Sequence, residues 1–322
     1  MDDIVVMGSN TVDIYVTTDV DMIQISHPSH DDDTLLGYPL GDKILAEDVS
    51  LSVGGSGVNA ATAFAKTGFD TSYVGCLGDD MFGAKVLDHL ETSDVAFHGS
   101  LGDQTGVGII LESQATDRTI LSYKGCNSDL RREDIPSDLD PGWFYTSTVM
   151  GETRRTMTKL IQSLDNTTTA VNTSPYLAEK GIDELELVLS ATDYLFVNEE
   201  EASLLTGQHS IPAMFDALQQ VLRGTPLITA GENGVYYEDD SSIKQLLPHE
   251  TDVVDTTGAG DAFNAGFIAG RAQGMSQENA VKTGMLQSEN VIQSSNTTDN
   301  LADKSTLLSA LNNDTREPTV IR

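Results

Sequence analysis

Residues 255–261 read DTTGAGD and lead straight into an apolar helical segment, the strongest local signal in the chain. Gly258 and Gly260 allow a tight turn, from which a helix is predicted over residues 261–272. The free N–H groups and the dipole of a helix N-terminus attract anions such as a phosphoryl group in transfer. A carboxylate beside them, Asp261, can accept the proton of an attacking hydroxyl. The pattern predicts a phosphate-handling turn, although an ordinary N-cap after a glycine turn looks the same locally.

Around this turn, strand patterns alternate with helix patterns. Short apolar runs predict strands at residues 4–7, 12–16, 44–53, 71–77, 107–111, 119–123, 143–146, 169–172, 193–197, 226–229 and 235–237. Helical spacing predicts helices at residues 58–67, 83–90, 154–164, 182–189, 199–205, 213–222 and 278–293. Such alternation predicts an α/β fold with a doubly wound, mostly parallel sheet, and we expect residues 1–322 to form one such domain.

Two β-rich segments, at about residues 14–52 and 105–124, interrupt the alternation. The second has the form of a hairpin, and the first contains a polar excursion over residues 19–42 that looks exposed. We expect the two segments to pack together as a small sheet that forms a lid over the mouth of the main sheet.

The chain carries 50 acidic residues against 18 basic ones, a formal charge of −32. This balance excludes a nucleic-acid partner, which needs clustered Lys and Arg. The acidic residues are spread thinly, and because molar salt would screen their repulsion we expect a halophilic source. We expect a cytoplasmic protein with no membrane partner. The chain starts with acidic residues, its only cysteines are Cys76 and Cys126, and it has no apolar run long enough to span a membrane.

Two motifs resemble the signatures of the ribokinase-like (PfkB-type) carbohydrate kinase family. Residues 255–261 resemble its C-terminal signature, and residues 54–61, GGSGVNAA, look like its N-terminal one. Weaker matches in the right order are residues 8–13, 198–201 and 229–234. The resemblance covers about residues 4–293 and implies a kinase that transfers the γ-phosphate of ATP to a hydroxyl of a small sugar or sugar derivative.

The resemblance implies a role for each motif residue near the phosphates. Asp261 matches the catalytic base, and the N–H groups of Gly258, Ala259 and Gly260 match the hole that stabilises the transferred phosphoryl group. Glu201, with Asn198, matches a motif that organises Mg²⁺ through its waters. The implied nucleotide-binding residues are Asn198, Thr229, Gly231 and Gly234.

The implied substrate site lies in the first part of the chain. Asp13, Gly54, Gly55 and Asn59 match positions that bind the sugar. A carboxylate can accept sugar hydroxyls, an amide can donate and accept, and glycine lets the ring approach the backbone.

A monovalent-cation site is implied only in part. Asp255 and Thr257 match positions that hold a monovalent cation, usually K⁺, in the family. Residues 293–297 read QSSNT, however, which is unlike the small-residue and glycine pattern that usually completes the site.

Basic residues near the lid bear on the substrate's charge. An acidic or phosphorylated substrate could be bound by Arg118, which we include in the predicted substrate site, and by its neighbours Tyr123 and Lys124 or by Lys43 in the other lid segment. Ordinary exposed strand residues are the competing interpretation. Further candidates are Arg154 and Arg155, at the start of a predicted helix.

Other functions stay open at this point. A nucleoside kinase would want an aromatic platform for the base, and Phe64 is the only aromatic residue that closely flanks the Gly54 motif, which favours a sugar. A non-catalytic sugar or nucleotide sensor would not need Asp261 with the complete turn. A Rossmann dehydrogenase is disfavoured because residues 54–57 lack the Gly-x-Gly-x-x-Gly spacing. The family also makes a homodimer plausible, through pairing of the lid sheets.

Overall fold

A computed structural model describes residues 3–18, 22–25, 33–36, 38, 40–112, 118–164, 166–294 and 297–322. In chain order its strands are β1 (Ile4–Met7), β2 (Thr11–Thr18), β3 (Met22–Ile25), β4 (Asp33–Leu36), β5 (Ala46–Gly54), β6 (Thr71–Gly78), β7 (Val95–Gly102), β8 (Val107–Glu112), β9 (Arg118–Tyr123), β10 (Trp143–Thr146), β11 (Thr168–Asn172), β12 (Tyr194–Asn198), β13 (Thr225–Thr229), β14 (Val235–Asp239), β15 (Ser242–Leu246) and β16 (Thr319–Val320). Its helices are α1 (Ser56–Lys66), α2 (Met81–Thr92), α3 (Gly151–Ser163), α4 (Pro175–Ala178), α5 (Gly181–Leu189), α6 (Glu199–Thr206), α7 (Ile211–Gln219), α8 (Ala259–Ala272), α9 (Gln277–Val291) and α10 (Lys304–Asn313). Within these described ranges, every helix is too short or too polar to cross a bilayer.

A ten-stranded sheet forms the centre of the molecule, in the order β16-β15-β14-β13-β12-β11-β10-β1-β6-β7. The pairings from β7 through β1 to β13 are parallel, and those from β13 to β16 are antiparallel. Helices connect the parallel strands, as such connections require. The predicted α/β fold with a mostly parallel sheet is therefore confirmed.

Both faces of this sheet are buried, which explains the continuous apolar runs of its strands. In β1, Ile4 and Val6 belong to one core and Val5 and Met7 to the other. The first core contains side chains of α1, α8 and α9, and the second contains side chains of α3, α5, α6 and α7. The helix that begins in the glycine turn is thus fixed against the first face.

A separate four-stranded sheet has the order β5-β2-β8-β9. The predicted strand over residues 12–16 belongs to this sheet and does not continue β1. The reason lies in the turn between them, where the fully buried Asn10 side chain donates to the Tyr73 hydroxyl at 3.0 Å and to the Cys76 carbonyl at 2.8 Å. These bonds anchor the chain where it leaves the main sheet.

The two faces of the small sheet differ in polarity, because alternate residues of a strand point to opposite sides. On one face Asp13 lies opposite Ser52 and Gly108. On the other face, apolar side chains are half or more exposed at Val49, Leu51, Leu121 and Tyr123. Of the polar excursion predicted over residues 19–42, β3 and β4 form an antiparallel pair, and much of the rest lies outside the described residues.

Several regular elements have no counterpart among the predicted strands and helices, including β7, β15 and α10. The edge strand β7 is mostly half-exposed and includes His98 and two glycines, so it lacks the apolar run of a central strand. Its eight-residue parallel pairing with β6 fixes it instead.

Candidate active site

The DTTGAGD turn adopts the conformation that its glycines allow. Gly258 is the N-cap of α8 with φ of 79°, in the left-handed region. A Cβ there would lie 2.8 Å from Cβ of Thr297, so both conformation and contact require glycine. A Cβ on Gly260 would meet no atom within 4 Å, which shows that open space borders the turn. The predicted turn thus presents a helix N-terminus to a cavity.

Asp261 stands in the first turn of α8 and is half-buried. The Asn59 side chain donates a hydrogen bond to its carboxylate, which favours the charged form. Burial outweighs this bond, and with the negative charge of Glu201 it raises the pKa of Asp261 to about 7. A carboxylate with that pKa can take a proton near neutral pH.

Asn59 connects three distant parts of the chain. It lies in α1 directly after the GGSG turn, and besides bonding Asp261 it accepts a hydrogen bond from the Thr297 hydroxyl at 3.1 Å. Thr297 is also the residue that packs against Gly258. The two sequence signatures therefore meet at Asn59, which lies against the candidate base.

Asp13 lies in a cradle of glycines on the inner face of the small sheet. A Cβ on Gly54 would lie 2.2 Å from its Oδ2, and a Cβ on Gly108 would lie 2.4 Å from its Oδ1. Burial raises the pKa of Asp13, while a hydrogen bond from Thr11 and the charge of Lys124 oppose that rise. A partly buried carboxylate with close backbone on both sides suits a ligand that supplies hydroxyl donors.

The GGSG turn packs on the turn that follows β1. Gly55 has φ of 95°, and a Cβ on it would lie 2.6 Å from the Asn10 Cα and the Ser9 carbonyl. The Gly57 N–H donates to the Ser9 carbonyl at 3.0 Å. The weaker match over residues 8–13 is therefore in direct contact with the N-terminal signature.

Asn198 and Glu201 form a capping box at the start of α6. The Asn198 side chain accepts from the Glu201 N–H at 2.7 Å, and the Glu201 carboxylate accepts from the Asn198 N–H at 3.1 Å. Burial raises the pKa of Glu201 to about 7. Both residues line a cavity of about 210 Å³, together with Asn172, Thr229, Gly258, Gly260, Asp261 and Asn264.

The cavity brings two carboxylates together, but the described residues contain no cluster of three His, Cys, Asp or Glu that could hold a metal directly. A divalent ion that keeps most of its waters fits such a pair, whereas a dehydrated ion with an all-protein shell does not. The donor set is therefore compatible with water-mediated Mg²⁺ near Glu201.

A larger cavity of about 650 Å³ adjoins the first, and both are lined by Thr229 and Gly260. Gly231 and Gly234 also line it, so the sequence-predicted nucleotide residues lie together. Its apolar lining includes Val235, Leu247, Val253, Phe263, Met285 and Ile292. An apolar chamber next to a helix N-terminus suits a flat ring joined to phosphates.

One wall of the larger cavity was not predicted from the sequence. His249 donates its backbone N–H to Glu289 at 3.0 Å, and its Nδ1 lies 2.9 Å from the same carboxylate. Arg316, near the end of the chain, also bonds Glu289, at 2.5 Å. No motif joins these three positions, so only the fold could reveal them.

The residues predicted to bind an acidic substrate lie in different surroundings. Lys124 lies 5.1 Å from the ring centroid of Tyr176, and its charge acts on Asp13. Arg118 donates to Asp255 at 2.6 Å and to the Thr257 hydroxyl. The remaining candidates are exposed or paired: Lys43 is exposed, Tyr123 donates to Gln104, Arg154 pairs with Glu184 and Arg155 pairs with Glu152.

Comparison with known proteins identifies the family and the fold. The family model described as pfkB family carbohydrate kinase matches residues 16–304. The chain is 27% identical over 268 residues to a ribokinase of Lactococcus lactis, covering 79% of this chain and 83% of that one. It is 28% identical over 290 residues to a cytidine kinase of Thermococcus kodakarensis, covering 85% and 96%. The ribokinase structure from Thermotoga maritima superposes with a TM-score of 0.80 at 21% identity, over 98% of this chain and 100% of the other.

These findings define a protein of the ribokinase-like α/β fold. The chain belongs to the pfkB family of carbohydrate kinases. It is accordingly a phosphotransferase, as the sequence predicted.

Proposed function

We propose that this enzyme transfers the γ-phosphate of ATP to a hydroxyl of a small sugar or sugar derivative, with Asp261 as the general base. The observation that carries the proposal is the position of Asp261. It stands at an open helix N-terminus, between the cavity with the predicted nucleotide residues and the Asn59 side chain. Phosphoryl transfer needs positioning and electrostatic stabilisation at such a point.

Each part of the site has a defined task in this proposal. The substrate is held by the predicted sugar-binding residues, which direct one of its hydroxyls to Asp261. These residues are Asp13, Gly54, Gly55 and Asn59. Asp261 accepts the proton of that hydroxyl as the oxygen attacks the γ-phosphorus and the bond to ADP breaks. The N-terminus of α8, at Gly258, Ala259 and Gly260, stabilises the negative charge on the transferred group. The nucleotide occupies the larger cavity, next to Asn198, Thr229, Gly231 and Gly234.

Mg²⁺ has a specific place in the proposal, at Glu201 through water. It would neutralise charge on the nucleotide phosphates, as metals do in this reaction class. Support comes from the buried Glu201 carboxylate in the cavity shared with Asp261.

Glu201→Gln tests the metal assignment with little structural change. Glutamine can still accept the hydrogen bond of the capping box, so α6 should keep its start. We expect the Mg²⁺ concentration for half-maximal rate to rise about tenfold, as for loss of a metal-orienting group. Glu200→Gln is the matched control, because Glu200 is the exposed neighbour on the same turn. An unchanged Mg²⁺ requirement in E201Q would remove Glu201 from the metal site.

The substrate class is tested by measuring ADP release in molar KCl with Mg²⁺ and ATP. Free sugars, sugar acids, sugar phosphates and nucleosides are compared, with Asp261→Asn as the blank. We expect a free sugar to be the best substrate. If only sugar acids or sugar phosphates are phosphorylated, we would infer that Lys124, whose charge acts on Asp13, binds the negative group of the substrate. A nucleoside response would make the enzyme a nucleoside kinase, and silence from folded protein would favour a sensor.

We also propose that the small sheet is a lid and that two copies pair through its outer face. Support comes from the half-exposed apolar residues Val49, Leu51, Leu121 and Tyr123, which point away from Asp13. Sedimentation at high salt decides the point, and a monomer alone would end the dimer proposal. A cytoplasmic, halophilic setting is proposed from the net charge of −32. Stable folding at low salt would contradict its halophilic part.

A further inference from the structure

Arg118 joins the small sheet to the loop that leads into the candidate anion-binding turn. It begins β9, the edge strand of the small sheet, and its partners Asp255 and Thr257 lie 137 and 139 residues further along the chain. The Arg118 side chain is 28% exposed and that of Asp255 is 10% exposed. A partly buried, charge-assisted pair of this kind is screened less by salt than a pair at the surface.

The Asp255 carboxylate accepts hydrogen bonds from both Arg118 and Thr257. Its Oδ1 accepts from Arg118 Nη1 at 2.6 Å, from the Thr257 N–H at 2.8 Å and from the Thr257 hydroxyl at 2.8 Å. The Thr257 hydroxyl in turn accepts from the second Arg118 nitrogen. The guanidinium fork therefore binds two adjacent groups of one loop, and Gly258, the N-cap of α8, follows directly.

This arrangement does not fit the monovalent-cation site that the family resemblance implies. The side chains of the two residues that the resemblance implies for that site, Asp255 and Thr257, already bind a fixed positive charge. A second cation beside the guanidinium would be repelled by it. The residues after α9 depart from the family pattern as well, since 293–297 read QSSNT.

We propose that Arg118 is a positioning residue for the anion-binding turn, and that its guanidinium takes the place of a bound monovalent cation, so that turnover does not depend on K⁺. The charge holds the 255–257 loop in the shape that sets the N-terminus of α8 over the cavity. The charge comes from the small sheet, so this contact couples the position of the turn to that sheet. Arginine suits this task, since its rigid fork binds two acceptors and stays charged at all working pH values.

The rate experiment, which rests on the proposed function, compares wild type in KCl and NaCl of equal molarity with the best substrate. We expect kcat in the two salts to agree within about twofold. A rate at least about tenfold lower in NaCl would overturn the proposal, because it would show that K⁺ is required. This comparison needs no variant and so does not depend on a mutant's folding.

Variants test the positioning role. Arg118→Met should lower kcat by about tenfold or more in NaCl, because a misplaced turn loses transition-state stabilisation, while the KM for ATP stays nearly constant. Added K⁺ should restore part of that loss in R118M, and Arg118→Lys should be intermediate. Arg131→Met is the control, since the pair of Arg131 with Glu133 is exposed. Unchanged kcat in folded R118M would overturn the positioning role.

A second measurement is independent of turnover and separates failure of this inference from failure of the proposed function. Melting temperatures are compared for R118M, D255N and the double variant. If the two residues act as one unit, the double variant should melt at about the temperature of the less stable single variant. Additive losses of melting temperature would overturn the ion pair, even if the chain phosphorylated no sugar at all.

Discussion

Asp261→Asn should lower kcat by about 10²–10⁴-fold, the usual contribution of a general base. Asparagine keeps the size of the side chain and can still bond Asn59, but it cannot take the substrate's proton. ATP affinity, measured by calorimetry, should change little, because other residues line most of the larger cavity. Asp252→Asn is the matched control, since Asp252 is exposed on the loop that leads to the turn. A near-normal rate in D261N would exclude Asp261 as the base.

The pH dependence of kcat/KM tests the same role of Asp261, because its raised pKa fixes the direction of the change. The base form of Asp261 exists above its raised pKa of about 7, so kcat/KM should fall as the pH drops below 7 and level off above it. Glu201 titrates in the same range, so the acid limb belongs to the pair. In E201Q one negative charge is gone, and the limb should move to lower pH. An acid limb that does not move would contradict the coupling of the two carboxylates.

Stability offers a check that D261N is folded. The pKa of Asp261 is higher in the folded than in the unfolded chain, so the folded state loses stability as the pH rises from 3.8 to about 7, and the loss is complete above that range. Removing the ionisable group removes this loss. D261N should therefore melt at a higher temperature than wild type at pH 8, and the difference should shrink towards pH 5. A lower melting temperature at pH 8 would contradict the raised pKa.

Asp13→Ala should raise the KM for the sugar by about 100-fold, because two hydrogen bonds to a charged acceptor are lost. The KM for ATP should stay within about threefold, since Asp13 lies in the small sheet and outside both cavities described above. Asp48→Ala is the control, as Asp48 is exposed in the neighbouring strand β5. A change confined to the KM for ATP would reverse the assignment of the two subsites.

Gly54→Ala tests the same carboxylate without removing it. The added Cβ would lie 2.2 Å from Asp13 Oδ2, so the carboxylate must move from its position. We expect the same class of defect as in D13A, a raised KM for the sugar. Wild-type kinetics in G54A would show that the position of Asp13 is unimportant.

Much of the fold could be predicted from the sequence, because the apolar residues of its strands and helices recur in regular patterns. Strands such as β1 and β10, buried on both faces, show uninterrupted apolar runs, and the predicted bounds of both match the structure. Residue pairing through space carries no such local signal. The edge strand β7 and the switch of residues 12–16 into a second sheet depend on contacts with β6 and on the buried Asn10.

The same distinction applies to the site. The turn at Gly258 and the capping box of Asn198 and Glu201 are local, so their geometry follows from spacing. The pairing of Arg118 with Asp255 and the His249 to Glu289 contact join residues 137 and 40 positions apart. Nothing in the intervening sequence encodes these contacts, so the role proposed above for Arg118 depends on the fold.

The hydrogen bond between Asn59 and Thr297 spans 238 positions of the chain. During synthesis the first signature leaves the ribosome long before its partner exists, and α8 also emerges before Thr297. Asn59 therefore has no partner at this bond, and Gly258 no contact with Thr297, until residue 297 has been synthesised. A chain released early, before residue 297, would retain most of the main sheet but lack this closure of the site. Phosphoryl transfer should consequently appear only after synthesis has passed residue 297, and chains that stop before it should not consume ATP.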